Sequence, residues 1–176
     1  MRKKSYYEVI LMQRIDIKQL KGNAVSLFDD KWCLITAGNE ESYNTMTASW
    51  GAMGELWNKD VCFIFIRPQR YTKQFVDNNE YFTLSFFGEE YKKALAFCGR
   101  NSGRDCDKAK QTGLTAVKTG ESVSFEESEI IIVCKKIAQQ DIIPEGFIDS
   151  TIDSACYPDK DYHTMYIGEV TDCFVK

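Results

Sequence analysis

The chain has a single histidine, only three prolines and no long hydrophobic run. One histidine, together with seven cysteines that form no C-x-x-C pair, is too few ligands at metal-binding spacing, so we expect no metal site. No apolar run approaches the roughly 18 residues of a spanning helix, so we expect no membrane segment. No Gly/Ser-rich linker or repeat divides the 176 residues, which favours one domain.

Several motifs that mark self-sufficient catalytic sites are also absent. The sequence contains no G-x-S-x-G, no G-x-x-x-x-G-K-[ST] phosphate loop and no G-x-G-x-x-G after a predicted strand. These absences disfavour hydrolase, P-loop and Rossmann sites. The chain is therefore either a binding module or an enzyme in which a cofactor carries out the difficult step.

The charge and the cysteines indicate where the protein works. Lysine and arginine total 22 and aspartate and glutamate total 26, which gives a net charge of −4. A mildly acidic chain has no overall attraction for nucleic acid or anionic lipid, so we expect neither partner. An odd number of scattered cysteines favours reduced thiols and a cytoplasmic location. The basic N-terminus lacks the long apolar stretch of a signal peptide.

Hydrophobic patterning predicts about seven strands and few helices. The predicted strands cover residues 32–37, 45–50, 61–66, 81–87, 114–118, 129–138 and 165–175, and the predicted helices cover 72–79, 89–97 and 105–111. The 61–66 run is continuously apolar, which is typical of a strand buried on both faces. We expect Thr72 to cap the first helix, Gly99 to follow the second and Gly113 to end the third. This arrangement favours a mainly β protein with a closed or half-closed antiparallel barrel.

The first candidate binding segment is N-T-M-T-A-S-W-G, residues 44–51. Its alternation places Thr45, Thr47 and Ser49 on one face of a strand. Small hydroxyls and backbone amides suit the carbonyls and nitrogens of a flat ligand. A half-exposed strand with its threonines facing water is the commoner explanation of such a pattern.

Two further segments carry positive charge. In R-P-Q-R-Y-T, residues 67–72, Arg67 and Arg70 lie between a predicted strand and a helix start, and the free amides there favour a phosphate. In the polar loop 99–108, Arg104 and Lys108 are candidate anion ligands. The alternative is that both segments are ordinary solvated surface.

The only histidine, His163, follows the charged stretch D-K-D-Y. A single histidine is more often structural than catalytic, so both roles stay open. The aromatic side chains at Trp50, Phe86 and Phe87 are by default core residues.

Taken together, these segments resemble the flavin reductase-like family of FMN-binding split-barrel proteins, in the branch that includes flavoredoxin. The resemblance rests on residues 34–38, 43–51, 65–72, 82–87, 102–105 with 107–108, 112–115, and 162–163 with 166–170, which appear in the family's order. It leaves residues 1–13 as an N-terminal extension and predicts a single FMN-binding domain over residues 14–176.

The resemblance implies a six-stranded antiparallel split barrel with added helices, and a homodimer with one FMN per subunit near the interface. It implies that His163 lies close to the reactive face of the flavin, as a catalytic residue. The implied cofactor-binding residues are Asn44, Thr45, Thr47, Ala48, Ser49, Trp50, Arg67, Arg70, Tyr71, Thr72, Ser85, Phe86, Phe87, Arg104 and Lys108.

The function implied by the resemblance is that of an oxidoreductase. It would transfer hydride from NAD(P)H to FMN and pass electrons to an acceptor, for example a redox protein. A non-enzymatic FMN-binding electron-transfer protein would use the same residues. A split barrel that binds another planar cofactor, such as haem ligated by His163, is a third hypothesis. The two arginines beside a helix start favour a ligand that carries a phosphate.

Overall fold

The computed structural model of the chain describes residues 12–176. The strands are β1 (Gln13–Ile15), β2 (Cys33–Gly38), β3 (Tyr43–Ala48), β4 (Gly51–Leu56), β5 (Lys59–Ile66), β6 (Tyr81–Phe86), β7 (Ala116–Thr119), β8 (Ser122–Phe125), β9 (Ile130–Asp141) and β10 (Thr164–Val175). The helices are α1 (Ala24–Ser26), α2 (Tyr71–Asn78), α3 (Lys92–Arg100), α4 (Lys108–Thr112) and α5 (Ser150–Cys156). The mainly β class predicted from the sequence is confirmed.

Eight of these strands form one antiparallel sheet in the order β3-β2-β6-β9-β10-β5-β4, with β1 paired to the end of β10. The two edge strands, β3 and β4, are consecutive in the chain and are joined by Ser49 and Trp50 alone. Each residue spans at most about 3.5 Å, so the two edges of the sheet must lie close together. The sheet therefore curls into a barrel that is split between β3 and β4.

The barrel interior is filled by alternating apolar side chains. Phe82, Leu84 and Phe86 of β6 are all fully buried there, as the alternation in the sequence predicts. Gly168 of β10 allows this packing, because a Cβ at this position would lie 2.5 Å from Phe82 Cζ and 2.7 Å from Cys134 Cβ. The ladder between β9 and β10 has an irregularity at Gly168.

A second apolar cluster covers the outer face of β2 and β6. It brings together α3, α4 and the β7–β8 hairpin through Leu34, Phe87, Leu95, Cys98, Ala109, Leu114 and Phe125. The Thr83 hydroxyl, on this covered face, donates to Val123 O at 2.5 Å. Both faces of β6 are thus buried, although its sequence alternates between apolar and hydroxyl residues.

The strand predictions were incomplete in three places. The sheet has eight strands instead of the six expected, since β1 and β4 were not predicted and residues 43–56 form two strands. β4 reads G-A-M-G-E-L, and two glycines and a glutamate give it little strand propensity. β8 was also missed. β5 is not buried on both faces, because Phe63 and Phe65 are only half-buried.

The helix predictions were right in position and wrong in several boundary residues. Thr72 does not cap α2: Arg70 precedes the helix, and the buried Thr72 hydroxyl accepts a hydrogen bond from Asn44 Nδ2 at 2.8 Å. Gly99 lies inside α3, which ends one residue later. Gly113 ends α4 with a φ of 72°, as predicted.

The helix α5 was not predicted, since S-T-I-D-S-A-C has no apolar period. Within the described residues, no helix is long and apolar enough to cross a membrane. Of the predicted N-terminal extension, residues 1–11 lie outside the described part of the chain; Gln13 already belongs to β1.

Candidate functional site

The split between β3 and β4 opens into a groove of about 160 Å³, which we call the first groove. Apolar and polar side chains meet in it. Its walls come from the end of β3, the end of β5 and the residue before β10: Met46, Thr47, Ala48, Ser49, Trp50, Phe65, Arg67, Arg70 and His163. The structure therefore brings together seven of the residues predicted to bind the cofactor or act in catalysis.

A second groove, of about 510 Å³, adjoins the first along β3. Consecutive residues line the two, since Thr45 belongs to the second groove and Met46 to the first. Among the predicted residues, the second groove is lined by Asn44, Thr45, Tyr71, Arg104 and Lys108. The loop at Gly103 touches Asn44 so closely that a Cβ there would lie 1.9 Å from Asn44 Oδ1.

The hydroxyl face of β3 is largely used by the chain itself. The Thr45 hydroxyl is buried against Thr36 Oγ1 at 2.9 Å, and the Thr47 hydroxyl donates to Leu95 O at 2.5 Å. Within the described residues, only Ser49 of the three hydroxyls makes no hydrogen bond. Ser49 is thus the hydroxyl left for a ligand.

The C-terminal carbonyls of α3 point at the site and are held by side chains from other elements. Arg70 Nη1 donates to Gly99 O at 2.6 Å, and Lys108 Nζ donates to Cys98 O and Thr45 O, both at 2.8 Å. Cations at the C-terminal end of a helix interact favourably with the partial negative charge of the helix dipole. Burial lowers the pKa of Lys108, which is only 6% exposed.

The two arginines of the 67–72 segment have different surroundings. Arg67 forms an ion pair with Asp161 through Nη1 and donates to Cys156 O at 2.8 Å through Nη2. Hydrogen bonds from Gln69 and then from Arg67 lower the pKa of Asp161. Arg67 thus holds the β9–β10 connection, residues 142–163, against the end of β5.

Arg70 keeps more of its guanidinium donors for a ligand than Arg67 does. One terminal nitrogen bonds Gly99 O, and no side chain caps the N-terminus of α2 beside it. Free first-turn amides and the helix dipole attract an anion. Arg104 is exposed and stacks over the Tyr71 ring at 4.5 Å, at the mouth of the second groove.

His163 lies between the groove and the β9–β10 connection. It is 7% exposed; Nδ1 is 2.8 Å from Tyr157 Oη, and its ring is 5.1 Å from the Trp50 ring. Burial, followed by the charge of Arg67, lowers the pKa of His163 from 6.5 to about 4. The imidazole is therefore neutral near pH 7, where it can donate or accept a hydrogen bond.

Four of the predicted residues line neither groove. Thr72 is buried, and its hydroxyl accepts from Asn44 Nδ2. Phe86 is buried in the barrel interior, Phe87 in the outer cluster, and Ser85 is buried with its hydroxyl unpaired. The adjacent Phe86 and Phe87 enter different clusters because successive strand residues point to opposite faces. Ser85, Phe86 and Phe87 can therefore act on the site only through the residues packed over them.

Sequence reasoning missed several site residues. Phe65 and Met46 line the first groove, although they read only as apolar strand residues. Tyr157 contacts His163 from a segment with no recognisable pattern. Asp161 belongs to a stretch singled out with His163, but nothing in the sequence indicated that it pairs with Arg67. No group of candidate metal ligands occurs among residues 12–176.

Three solved structures illustrate which proteins share this fold. Flavoredoxin of Desulfovibrio vulgaris (Miyazaki F) has a TM-score of 0.65 and 23% identity, over 83% of this chain and 69% of that one. An FMN-binding domain of flavin reductases-like enzyme from Shewanella baltica OS155 has a TM-score of 0.68 and 14% identity, over 93% and 76%. An NADH:FAD oxidoreductase of Streptomyces globisporus C-1027 has 0.64 and 15%, over 83% and 75%.

These likenesses confirm the predicted split-barrel class. No curated protein matches the chain significantly. A family model described as "Flavin reductase like domain" matches residues 26–176. Because that match covers far more than half of the chain, the protein belongs to the flavin reductase-like family.

Proposed function

We propose that the protein binds FMN in the two adjoining grooves and is an NAD(P)H-dependent oxidoreductase of the flavin reductase type. One observation carries this proposal: a groove at the split of the barrel, lined by both aromatic and polar side chains, lies next to Arg70 and an uncapped helix N-terminus. When bound, FMN supplies the redox chemistry, since its ring accepts a hydride from NAD(P)H and passes electrons to an acceptor.

The residues present fit the two ends of such a ligand. Trp50, Phe65 and Met46 offer apolar surface for a flat ring system. Arg70 and the first amides of α2 suit a phosphate, and Arg104 adds positive charge nearby. The volumes of the two grooves together lie within the range of about 300–1,000 Å³ that is typical of ligand sites.

The chain's own residues would bind and orient the ligand. Ser49 and the backbone at Thr47 and Ala48 would bond the polar edge of the ring. Asn44, Thr45, Thr72 and Lys108 hold β3, α2, α3 and the 102–108 loop together, so they would shape the site from behind. Neutral His163 would place a hydrogen-bonding nitrogen at the ring without adding charge.

The comparisons support both parts of the proposal. The Shewanella structure is described as FMN-binding, and the Streptomyces protein as an NADH:FAD oxidoreductase. Flavoredoxin-like structures equally suit an electron-transfer protein that a partner reduces. The cofactor and the nicotinamide therefore need separate tests.

The cofactor is tested by titration with FMN, riboflavin and FAD, following flavin fluorescence. If Arg70 and α2 bind the phosphate, FMN binds at least about tenfold more tightly than riboflavin, as expected for a charge-assisted pair. Arg70→Ala should remove this preference. Arg14→Ala should keep it, because Arg14 lies on β1, which pairs with the C-terminal end of β10 away from the grooves. Equal affinities for FMN and riboflavin in the unaltered protein would contradict the phosphate site.

The enzymatic part is tested by following NADH and NADPH oxidation with FMN present. Turnover with either donor is the expected result. A protein that binds FMN but is reduced only by a partner redox protein would instead be the electron-transfer form. A titration with haemin tests the remaining hypothesis, since ligation by His163 would give a haem spectrum that His163→Ala abolishes.

Two further parts of the proposal concern the whole protein. We infer a homodimer, and Trp50 and Trp57, which are 47% and 58% exposed, support it as apolar surface open to a second copy. We infer a cytoplasmic location from the seven free thiols, five of them buried.

A further inference from the structure

We propose that Tyr157 is a positioning residue that fixes the neutral tautomer of His163, with the proton on Nε2, so that the histidine presents an N–H donor to the first groove. The tautomer follows from contacts within the chain alone. Only the identity of the ligand that meets this donor rests on the proposed function.

The direction of the hydrogen bond between Tyr157 and His163 follows from the surroundings of the phenol. Tyr157 is 3% exposed, and within the described residues His163 Nδ1, 2.8 Å from Oη, is the only acceptor that meets the phenol proton. The backbone N–H of His163, which also bonds the hydroxyl, is a donor and cannot accept that proton. If Nδ1 donated, the phenol proton would be buried without an acceptor, which typically costs about 1–3 kcal/mol. The phenol therefore donates to Nδ1, and a neutral imidazole must then carry its proton on Nε2.

The Tyr157 side chain has little freedom to turn its hydroxyl away. The Arg67 guanidinium lies 5.1 Å from the centre of its ring, and the rings of Tyr162 and Phe147 lie at 4.9 and 5.8 Å. Its backbone N–H donates to Asp153 O at 2.9 Å, at the end of α5. Arg67, Phe147 and Tyr162 thus hold the phenol in the orientation that meets His163.

The imidazole is restrained from its other sides. Its ring lies 5.1 Å from that of Trp50. The backbone carbonyl of His163 accepts a hydrogen bond from Ile142 N at 2.9 Å, which fixes the backbone that carries the ring. Nε2 makes no hydrogen bond within the described residues, although His163 lines the groove. The nitrogen that remains for a ligand is therefore a donor, and it selects acceptor atoms such as a ring carbonyl or an unprotonated ring nitrogen.

The tautomer can be read directly, because the chain contains one histidine. In ¹⁵N-histidine-labelled protein without added ligand, two-bond ¹H–¹⁵N spectra at pH 7.5 distinguish a protonated from an unprotonated nitrogen at each ring position. We expect a neutral ring protonated at Nε2 alone. A proton on Nδ1 in the unaltered protein, or an equal mixture of both tautomers, would overturn the proposal without any variant.

Two variants separate the hydroxyl from the packing. Tyr157→Phe keeps the ring and removes the donor, and we expect it to populate the Nδ1-protonated tautomer. Tyr162→Phe removes a hydroxyl that donates to Asp153 at 2.7 Å, not to His163, and should leave the tautomer unchanged. If Tyr157→Phe, folded by circular dichroism, keeps the pure Nε2 tautomer, Tyr157 does not set it and the proposal fails.

The role toward the ligand has its own readout. Adding FMN should shift the Nε2 proton resonance, and FMN affinity should fall about fivefold in Tyr157→Phe, as for the loss of one neutral hydrogen bond. If FMN does not bind the unaltered protein, the proposed function fails while the tautomer result stays valid. If FMN binds but does not shift the Nε2 proton resonance, the donor does not face the ligand.

Discussion

At the scale of single residues, the polar side chains at the split fall into two groups. Thr45, Thr47 and Lys108 already bond carbonyls or hydroxyls of the chain, so they shape the site. Ser49 and Arg70 keep donors that the chain does not use. A buried polar group without a partner is costly, and this cost decides which side chains can be left open for a ligand.

The depressed pKa of His163 predicts a pH-dependent stability. The unfolded chain takes up a proton near pH 6.5, whereas the folded chain does so only near pH 4. The unfolded state therefore binds more protons between these values, and the free energy of unfolding falls as the pH drops from about 6.5 to 4. Urea midpoints at pH 7.5 and 4.5 measure the loss.

The matched control for this prediction is His163→Gln, which cannot titrate in this range. It should lose less stability than the unaltered protein over the same interval, because only the histidine contribution has been removed. An equal loss in both proteins would mean that carboxylates alone, such as Asp161, account for the pH dependence.

Gly168 allows a second prediction at the residue scale. In Gly168→Ala, the new methyl group would overlap Phe82 and Cys134 inside the barrel, so the free energy of unfolding should fall by about 1–3 kcal/mol. Gly54→Ala is the control, since a Cβ at that strand position meets nothing within 4 Å. Urea denaturation compares the two variants, and similar midpoints would show that the core adjusts freely.

At the scale of elements, the C-terminus of α3 joins the two grooves. Arg70 and Lys108 reach it from the start of α2 and from α4 and bond the carbonyls of Gly99 and Cys98. Thr47 of β3 bonds Leu95 O, about one turn earlier in the same helix. Helix ends leave carbonyls unsatisfied, and here other elements supply the donors. The elements that surround the proposed ligand are thus tied together at one helix end.

Lys108 tests this arrangement. Lys108→Met removes both donors from Thr45 O and Cys98 O and leaves two buried carbonyls unpaired, so we expect a loss of about 1–3 kcal/mol in the free energy of unfolding. Thermal or urea denaturation measures it. Lys110→Met, exposed on the same helix, should change stability by less than about 0.5 kcal/mol. Equal stability of both variants would contradict a structural role for the Lys108 bonds.

At the scale of the whole molecule, the order of strands creates the site. The sheet begins and ends with β3 and β4, which only Ser49 and Trp50 separate, so closure of the sheet leaves a split at these residues. Trp50 is held against His163 on one side and is open on the other. A second subunit would cover such an exposed aromatic surface.

We therefore expect a dimer in solution. Sedimentation equilibrium should give about twice the 20.2 kDa of one chain at micromolar concentration. Trp57 lies at the tip of the β4–β5 hairpin, where its φ is 57°. Its exposed indole offers apolar surface for a contact with a second subunit. A monomer that still binds FMN with full affinity would contradict the interface as part of the site.

Elements with a strong local pattern could be predicted from the sequence. The alternation of β6, the glycine that ends α4 and the position of α2 are all set by interactions between near neighbours in the chain. β4 and α5 could not be predicted, because glycine, glutamate and small polar residues give them no periodicity. β4 depends on its pairing with β5, and α5 on the bonds of its residues Asp153 and Cys156 with Tyr162 and Arg67.

The sequence by itself determined the fold class, the family and the functional groups available to bind a ligand: one histidine, two arginines beside a helix start and a hydroxyl-bearing strand. The fold class and these functional groups follow from composition and local order, and the family from the motifs that carry the resemblance. Only the tertiary structure decided the partners, namely that Arg67 bonds Asp161 and Arg70 bonds Gly99 O, and that Tyr157 reaches His163. Such contacts join residues up to 94 positions apart, and they depend on how the sheet closes.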